Sequence, residues 1–229
     1  KTSEMNGIVT YDNKLLKERF DKLAVSDSKK IIEPKNVSFK FSDKGYVIVK
    51  EVKGNKVDSK QFYANLVTAI VKGETTIDLE AKNYYINPKY TSTSQKIKNT
   101  KILLNKYITS KITYAFSGDE EVLDGSTINN FLGVDENLEI TFDKDKMDDY
   151  VKKVDNNYNT YGKQRNFATS LGKTVKVSGG DYGWLVSRSG EVNDLIVAIK
   201  AGQTITKEPH YPYLIERDGT NNEKDRKST

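Results

Sequence analysis

Apolar and polar residues alternate along the first third of this chain with two different periods. Apolar residues at every third or fourth position follow Asp12 and Asp58, and this spacing predicts a helix capped by each aspartate. Between them, apolar residues at every second position on both sides of a turn predict a β-hairpin. Gly73 follows the second helical pattern, at a position where a left-handed residue often ends a helix. The predicted elements are helices through 16–23 and 62–70 and strands at 37–41, 46–50 and 75–79.

The last third of the chain repeats this order of patterns. Asp143 precedes a helical stripe of apolar residues, and a second helical stripe ends at Gly202. Short alternating patterns lie between the two stripes. The predicted elements are helices through 147–158 and 192–200 and strands at 166–170, 174–177 and 184–186. In the middle of the chain, the patterns predict a helix at 102–108, a strand at 111–116 and a short helix at 127–132.

Glycines and core positions recur at one fixed spacing of 129 residues, which indicates an internal duplication. The spacing joins Gly54, Val57, Leu66, Ala69, Ile70, Gly73 and Thr75 to Gly183, Val186, Leu195, Ala198, Ile199, Gly202 and Thr204, respectively. We therefore expect an α+β fold of two related units, each with helices packed on a small antiparallel or mixed β-sheet. The expected domains are residues 1–100 and 101–212, followed by a polar linker or tail at 213–229.

The composition is polar for a folded protein, with 36% hydrophobic and 30% charged residues among 229. Fourteen tyrosines and eight phenylalanines must supply much of the core volume, which favours two small cores over one large core. The net charge of +5 comes from interspersed lysines, as on a solvated surface. No basic helix or aromatic-and-arginine platform indicates nucleic-acid binding. The apolar runs are too short for a transmembrane helix or a signal peptide, and the lack of cysteine fits a secreted and a cytosolic protein equally.

The segment from Gly179 to Trp184 combines three glycines with Tyr182 and the single tryptophan. Closely spaced glycines mark backbone that takes positive φ or lets another surface approach. One interpretation is a tight bulged hairpin whose Tyr182 and Trp184 pack in a small core. The other is a binding turn that places Asp181, Tyr182 and Trp184 against a ligand.

Arg165 is one of the few arginines and lies close in sequence to Tyr161 and Phe167. Its guanidinium has the fork geometry that binds a peptide carboxylate or a sugar amide oxygen. The alternative is structural, as a salt bridge or a stack on Tyr161. The candidate ligand-binding residues are therefore Tyr161, Arg165, Asp181, Tyr182 and Trp184.

A longer pattern surrounds these candidates and extends over the end of the second predicted helix and the strands after it. It comprises Tyr158, Thr160, Tyr161, Gly162, Arg165, Phe167, Thr169, Gly172, Val175, Val177, Gly179, Gly180, Tyr182, Gly183 and Trp184. Together with segments 112–116 and 123–128, this pattern resembles the peptidoglycan-binding region that precedes the catalytic domain in YkuD-type L,D-transpeptidases of Gram-positive bacteria. The resemblance covers most of the chain.

The resemblance implies a non-catalytic region that binds peptidoglycan and positions a catalytic domain that makes 3-3 cross-links. The implied partners are peptidoglycan, anionic wall polymers attracted by the positive charge, and a downstream catalytic domain in the same polypeptide. The implied location is the extracellular cell wall, with the parent protein anchored by an N-terminal membrane helix absent here. Two alternatives stay open: a ligand-free structural stalk, and a domain that docks on the catalytic domain and completes its cleft.

The residues that such enzymes use for catalysis are missing from this sequence. The family's nucleophile is a cysteine in a Ser/Thr-His-Gly-Cys context, whereas this sequence has no cysteine and one histidine, His210. His210 lies in what reads as an interdomain linker, without a second ligand at metal-binding spacing. The acidic residues that follow Asp143 lack the spacing of a calcium loop, and the acidic turn predicted at 119–121 has no neighbouring base. We expect no catalytic residues, no metal and no cofactor in this chain.

Overall fold

The computed structural model describes residues 10–23, 25, 27–116, 119–177 and 185–210, and its fold is α+β. The helices are α1 (Asn13–Asp21), α2 (Ser59–Val71), α3 (Gln95–Ile108), α4 (Gly125–Ile128), α5 (Lys144–Tyr158) and α6 (Arg188–Ala201). The strands are β1 (Ser38–Ser42), β2 (Gly45–Val49), β3 (Lys111–Ala115), β4 (Glu120–Leu123), β5 (Leu132–Val134), β6 (Ile140–Phe142), β7 (Arg165–Ala168), β8 (Thr174–Val177) and β9 (Thr204–Lys207). Two compact units divide the chain, one within Lys1–Lys40 and Val47–Lys98, the other within Phe41–Tyr46 and Asn99–Thr229.

The first unit is built on capped helices and an aromatic core. Asp12 caps α1 and Asp58 caps α2, and each side chain accepts hydrogen bonds from two backbone amides of the first helical turn. Both caps confirm the sequence prediction, because these amides have no partner inside the helix. The ring of Phe62 lies 5.4 Å from that of Phe20 and 5.5 Å from that of Tyr84, measured between centroids. These three rings form the buried core together with Val57.

The second unit packs α5 and α6 with a mixed sheet of strand order β4-β3-β9. Strand β3 pairs antiparallel with β4, which places Ile112 opposite Leu123, and parallel with β9, which places Ile112 opposite Ile205. The apolar stripes predicted on α5 and α6 face this core. Its fully buried members are Ile112, Tyr114, Leu123, Ile128, Met147, Val151, Leu195 and Ile199.

The second helix of the first unit and the last helix of the second unit end in the same way. Gly73 follows α2 with a φ of 74°, and Gly202 follows α6 with a φ of 71°. In both, the glycine N–H donates to the carbonyl three residues back at 3.0 Å. The next N–H donates to the carbonyl five residues back, at 2.9 Å for Ala69 and 3.1 Å for Ala198. These paired bonds are the glycine helix end predicted from the sequence, and they occur 129 residues apart, from Gly73 to Gly202.

Several elements differ from the sequence prediction. The strand predicted at 75–79 does not form, since residues 74–78 are irregular, whereas β9 at the corresponding place in the second unit pairs with β3. The acidic segment predicted as a turn at 119–121 instead enters β4, because β3 offers it an antiparallel edge. Helix α3 begins at Gln95, seven residues before the predicted start, since polar residues extend it beyond the apolar pattern. Residues 185 and 186, predicted as a strand, are irregular.

The two glycine helix ends can be tested by substitution. Alanine at Gly73 or Gly202 places a side chain at positive φ, which costs about 1–2 kcal/mol of folding free energy. We expect the larger loss for Gly202→Ala, because its Cβ would lie 3.3 Å from the Lys106 side chain, whereas a Cβ at Gly73 meets nothing within 4 Å. Urea unfolding measures both losses. Gly73→Asn is the control, since asparagine tolerates this conformation better, and unchanged stability in both alanine variants would contradict the assignment.

Candidate functional site

The loop between α5 and β7 presents the candidate residue Tyr161. Its backbone N–H donates to the side-chain oxygen of Asn159 at 2.7 Å, and Gly162 follows with a φ of 65°. The N–H of Lys163 donates to the carbonyl of Thr160 at 3.3 Å and closes the turn. Tyr161 is 42% exposed. The turn therefore holds an aromatic side chain at the surface, with one face available for stacking.

Arg165, at the start of β7, braces this turn. Its Nη2 donates to the carbonyl oxygen of Thr160 at 2.9 Å, and its Nη1 donates to that of Lys163 at 3.3 Å. The guanidinium has five N–H donors in a rigid fork, and two of them go to these backbone carbonyls. Arg165 therefore has a structural contribution, close to one of the two roles that the sequence left open, and it fixes the loop that carries Tyr161.

The β7–β8 hairpin continues the exposed surface next to this turn. Arg165 lies opposite Val177 and Phe167 opposite Val175, so these four residues share one face of the hairpin. Phe167 and Val177 are each 50% exposed. Tyr161 and this hairpin face supply aromatic and aliphatic surface, the kind that packs on the C–H faces of sugar rings. The other three candidates, Asp181, Tyr182 and Trp184, lie outside the described residues.

A buried carboxylate marks a second notable cluster in this unit. Glu191, in the first turn of α6, is only 1% exposed. Its Oε1 accepts a hydrogen bond from the Tyr114 hydroxyl at 2.6 Å and another from the Lys207 ammonium at 2.8 Å. Its Oε2 accepts a hydrogen bond from the backbone N–H of His210. Both carboxylate oxygens therefore have donors, which a buried charge requires.

The charges around Glu191 extend from the core to the surface. Burial, and after it the negative charge of Glu191, raises the pKa of the Tyr114 phenol, so this group stays a neutral donor. The side chain of Lys207 is 22% exposed and its ammonium also lies 3.5 Å from Oδ2 of Asp194. That oxygen lies 3.3 Å from Nδ1 of His210. We call Tyr114, Glu191, Asp194, Lys207 and His210 the Glu191 cluster.

A shallow cleft of about 250 Å³ opens beside this cluster, with Lys207, Asp194 and Gln203 as its polar lining. Its two charged residues already bond to each other, which reduces what they offer to a ligand. The described residues contain no group of three or more histidine, aspartate or glutamate side chains at metal-binding distances. In the part of the chain that the structure describes, no helix has both the length and the apolar character to cross a bilayer.

Sequence reasoning missed the Glu191 cluster and misplaced His210. An acidic residue in the first turn of a helix is ordinary, because it favours the positive end of the helix dipole at the surface. One signal pointed inward: the duplication spacing aligns Glu191 with Phe62, a core residue of the first unit. His210 was predicted in a linker, but its carbonyl accepts from the N–H of Ser187 at 2.7 Å and its own N–H donates to Glu191. Its backbone is therefore part of the folded unit.

The bracing role of Arg165 generates a test. Arg165→Met keeps the aliphatic stem but removes the two donors to the turn. We expect the amide hydrogen of Lys163 to exchange about threefold to tenfold faster, the effect of losing one or two modest hydrogen bonds. Lys176→Met is the matched control, since it removes one positive charge from the same hairpin. Equal exchange rates at Lys163 in both variants would reject the bracing role.

Comparison with solved structures finds two partial likenesses. The carbamoyl enzyme that Ldtfm forms with avibactam matches with a TM-score of 0.44 and 26% identity, over 51% of this chain and 46% of that one. A cysteine-to-serine mutant of the Enterococcus faecium L,D-transpeptidase matches with a TM-score of 0.42 and 24% identity, over 52% of this chain and 46% of that one. The chain thus spans about half the length of these relatives. No curated protein matches it.

The match to a protein family is much more extensive. The family described as "Putative peptidoglycan binding domain" matches residues 1–78 and 90–206. These two segments include Tyr161, Arg165 and the whole Glu191 cluster except His210. Such a match supports binding to the cell wall. The chain belongs to this family of peptidoglycan-binding domains.

Proposed function

We propose that this chain binds peptidoglycan and holds an L,D-transpeptidase domain, which lies outside this sequence, close to its polymeric substrate. The family assignment is the observation that carries the proposal. A weak contact on the same polypeptide raises the effective concentration of the polymer at the active site, without any increase in the affinity of that site. The parent protein is then extracellular and membrane-anchored, and the chemistry it serves is the formation of 3-3 cross-links.

The contact surface that we propose begins at Tyr161. Its ring is exposed, and the turn that carries it is held by Asn159 and Arg165, so little side-chain and loop entropy is lost on binding. Phe167 adds exposed aromatic area on the adjoining hairpin. Asp181, Tyr182 and Trp184 stay in the proposal as further contacts, because they follow β8 closely in the sequence.

The net charge gives a second and less specific contribution. The +5 charge of interspersed lysines attracts anionic wall polymers over a distance limited by the Debye length, about 8 Å at physiological salt. This attraction is screened at high salt, whereas stacking on Tyr161 is not. The two contributions can therefore be separated by the salt dependence of binding.

The catalytic step belongs to another part of the parent protein in this proposal. Nucleophilic attack on a peptide stem requires an activated nucleophile such as a cysteine paired with a histidine. This sequence contains no cysteine and a single histidine, whose backbone is held in the second unit. The chain alone is therefore proposed to have no transpeptidase activity on muropeptides.

A sacculus pull-down tests the proposed binding surface. Shallow polar sites give dissociation constants in the high micromolar range, so the bound fraction is measured at several protein concentrations. We expect Tyr161→Ala to weaken binding about threefold to tenfold at both moderate and high salt, the loss of one aromatic contact. Tyr11→Ala is the matched control, because Tyr11 is an exposed tyrosine of the first unit, 38% exposed against 42% for Tyr161.

The other outcomes of the pull-down are equally informative. Binding that disappears at high salt and does not respond to Tyr161→Ala would reduce the function to charge attraction. If a folded protein, checked by circular dichroism, shows no binding at either salt concentration, the proposal fails and a ligand-free stalk becomes the better account.

A further inference from the structure

The two units solve the same packing problem with different chemistry. The spacing of 129 residues aligns Phe62 in α2 with Glu191 in α6. Phe62 packs its ring against Phe20 and Tyr84 in an apolar cluster. Glu191, equally buried, instead binds three hydrogen-bond donors. An apolar residue therefore suffices for packing at this place in the fold, and the carboxylate requires another explanation.

Stability does not explain the carboxylate. Replacing buried ion pairs by apolar residues of similar volume is often neutral or stabilising, because desolvation offsets the attraction between the charges. What the carboxylate adds is direction, since hydrogen bonds fix the position of the donors more narrowly than apolar contacts do. Two of the three donors to Glu191, the Lys207 ammonium and the His210 N–H, lie where the chain leaves the last strand of the second unit.

The backbone between these two donors is held from several sides. Lys207 ends β9, which is paired with β3. Pro209 is buried. The carbonyl of His210 accepts a hydrogen bond from the N–H of Ser187 at 2.7 Å, while its N–H donates to Glu191. The first turn of α6 therefore binds both the donor and the acceptor of one peptide unit at this exit.

Gly190 provides the room for this arrangement. An added Cβ at Gly190 would lie 2.6 Å from Cδ2 of His210 and 2.9 Å from its Nε2, too close for real contacts. The imidazole thus lies directly on the helix backbone, and its Nδ1 is 3.3 Å from Oδ2 of Asp194. Glycine in a helix is otherwise unfavourable relative to alanine, so its presence here is accounted for by the ring that covers it.

We propose that Gly190, Glu191, Lys207 and His210 form an exit clasp that fixes the position and direction in which the chain leaves the second unit. The clasp rests on the proposed function and deepens it. A flexible tether only raises the local concentration of a partner, whereas a fixed exit also sets the orientation of the chain that starts at residue 211. Binding of the wall by this unit is then transmitted to whatever follows with a defined geometry.

Amide hydrogen exchange resolved by NMR tests the clasp in the full chain, without peptidoglycan. In the unmodified chain the His210 amide is protected. We expect Gly190→Ala to speed its exchange at least about tenfold, because the added methyl displaces the ring and the bond to Glu191 with it. The amides of α6 itself keep or increase their protection, since alanine favours the helix. Ser189→Ala is the matched control, one residue away on the same helical turn, and leaves the His210 amide unchanged.

A second variant removes the carboxylate without leaving a charge unpaired. The double substitution Glu191→Leu with Lys207→Met replaces the pair by apolar groups and keeps the unit folded. The clasp predicts that α6 and β3 amides stay protected while the His210 amide loses at least about tenfold in protection. An unprotected His210 amide in the unmodified chain, or unchanged protection in both variants, would overturn the proposal. Because no peptidoglycan is present, such a failure rejects the clasp alone, whereas a negative pull-down rejects the binding function alone.

Discussion

The need of one buried carboxylate for partners organises much of the second unit. Glu191 is removed from water, so its charge is tolerated only while donors surround it. The donors come from three places: Tyr114 from the central strand, Lys207 from the parallel edge strand and the N–H of His210 from the segment after it. Helix α6, strand β3 and strand β9 are therefore tied at one point. The first unit has no such requirement at the aligned position, since Phe62 there packs among aromatic rings.

This difference between aligned positions suggests a division of roles within a duplicated design. Both units share aspartate-capped helices and a glycine helix end, which are local solutions set by a few residues. The second unit adds a directional polar cluster in its core and an exposed Tyr161 loop braced by Arg165. In the account proposed here, the loop contacts the wall polymer and the cluster fixes the chain exit. The two features depend on different contacts, so each can be removed without the other.

How much of this was predictable follows from the kind of interaction involved. The caps at Asp12, Asp58 and Asp143 and the stop at Gly202 were predictable, because they depend on residues adjacent in sequence. The burial of Met147, Val151 and Val154 followed from helical spacing. Strand β4 and the Glu191 cluster were not predictable, because their partners lie far away in sequence: Tyr114 is 77 residues from Glu191. The proposed ligand contacts Asp181, Tyr182 and Trp184 stay predictions, since they lie outside the described residues.

The central claim is that the second unit contacts peptidoglycan through the Tyr161 loop. The most direct measurement is an NMR titration of the isotope-labelled chain with soluble muropeptides, which maps the amides whose chemical shifts change. The account predicts changes concentrated at residues 159–168 that saturate with a dissociation constant in the high micromolar range. Amides of the first unit serve as the internal reference and should stay unchanged. Changes confined to the first unit, or small changes spread over all lysine-rich surfaces that vanish with added salt, would contradict it.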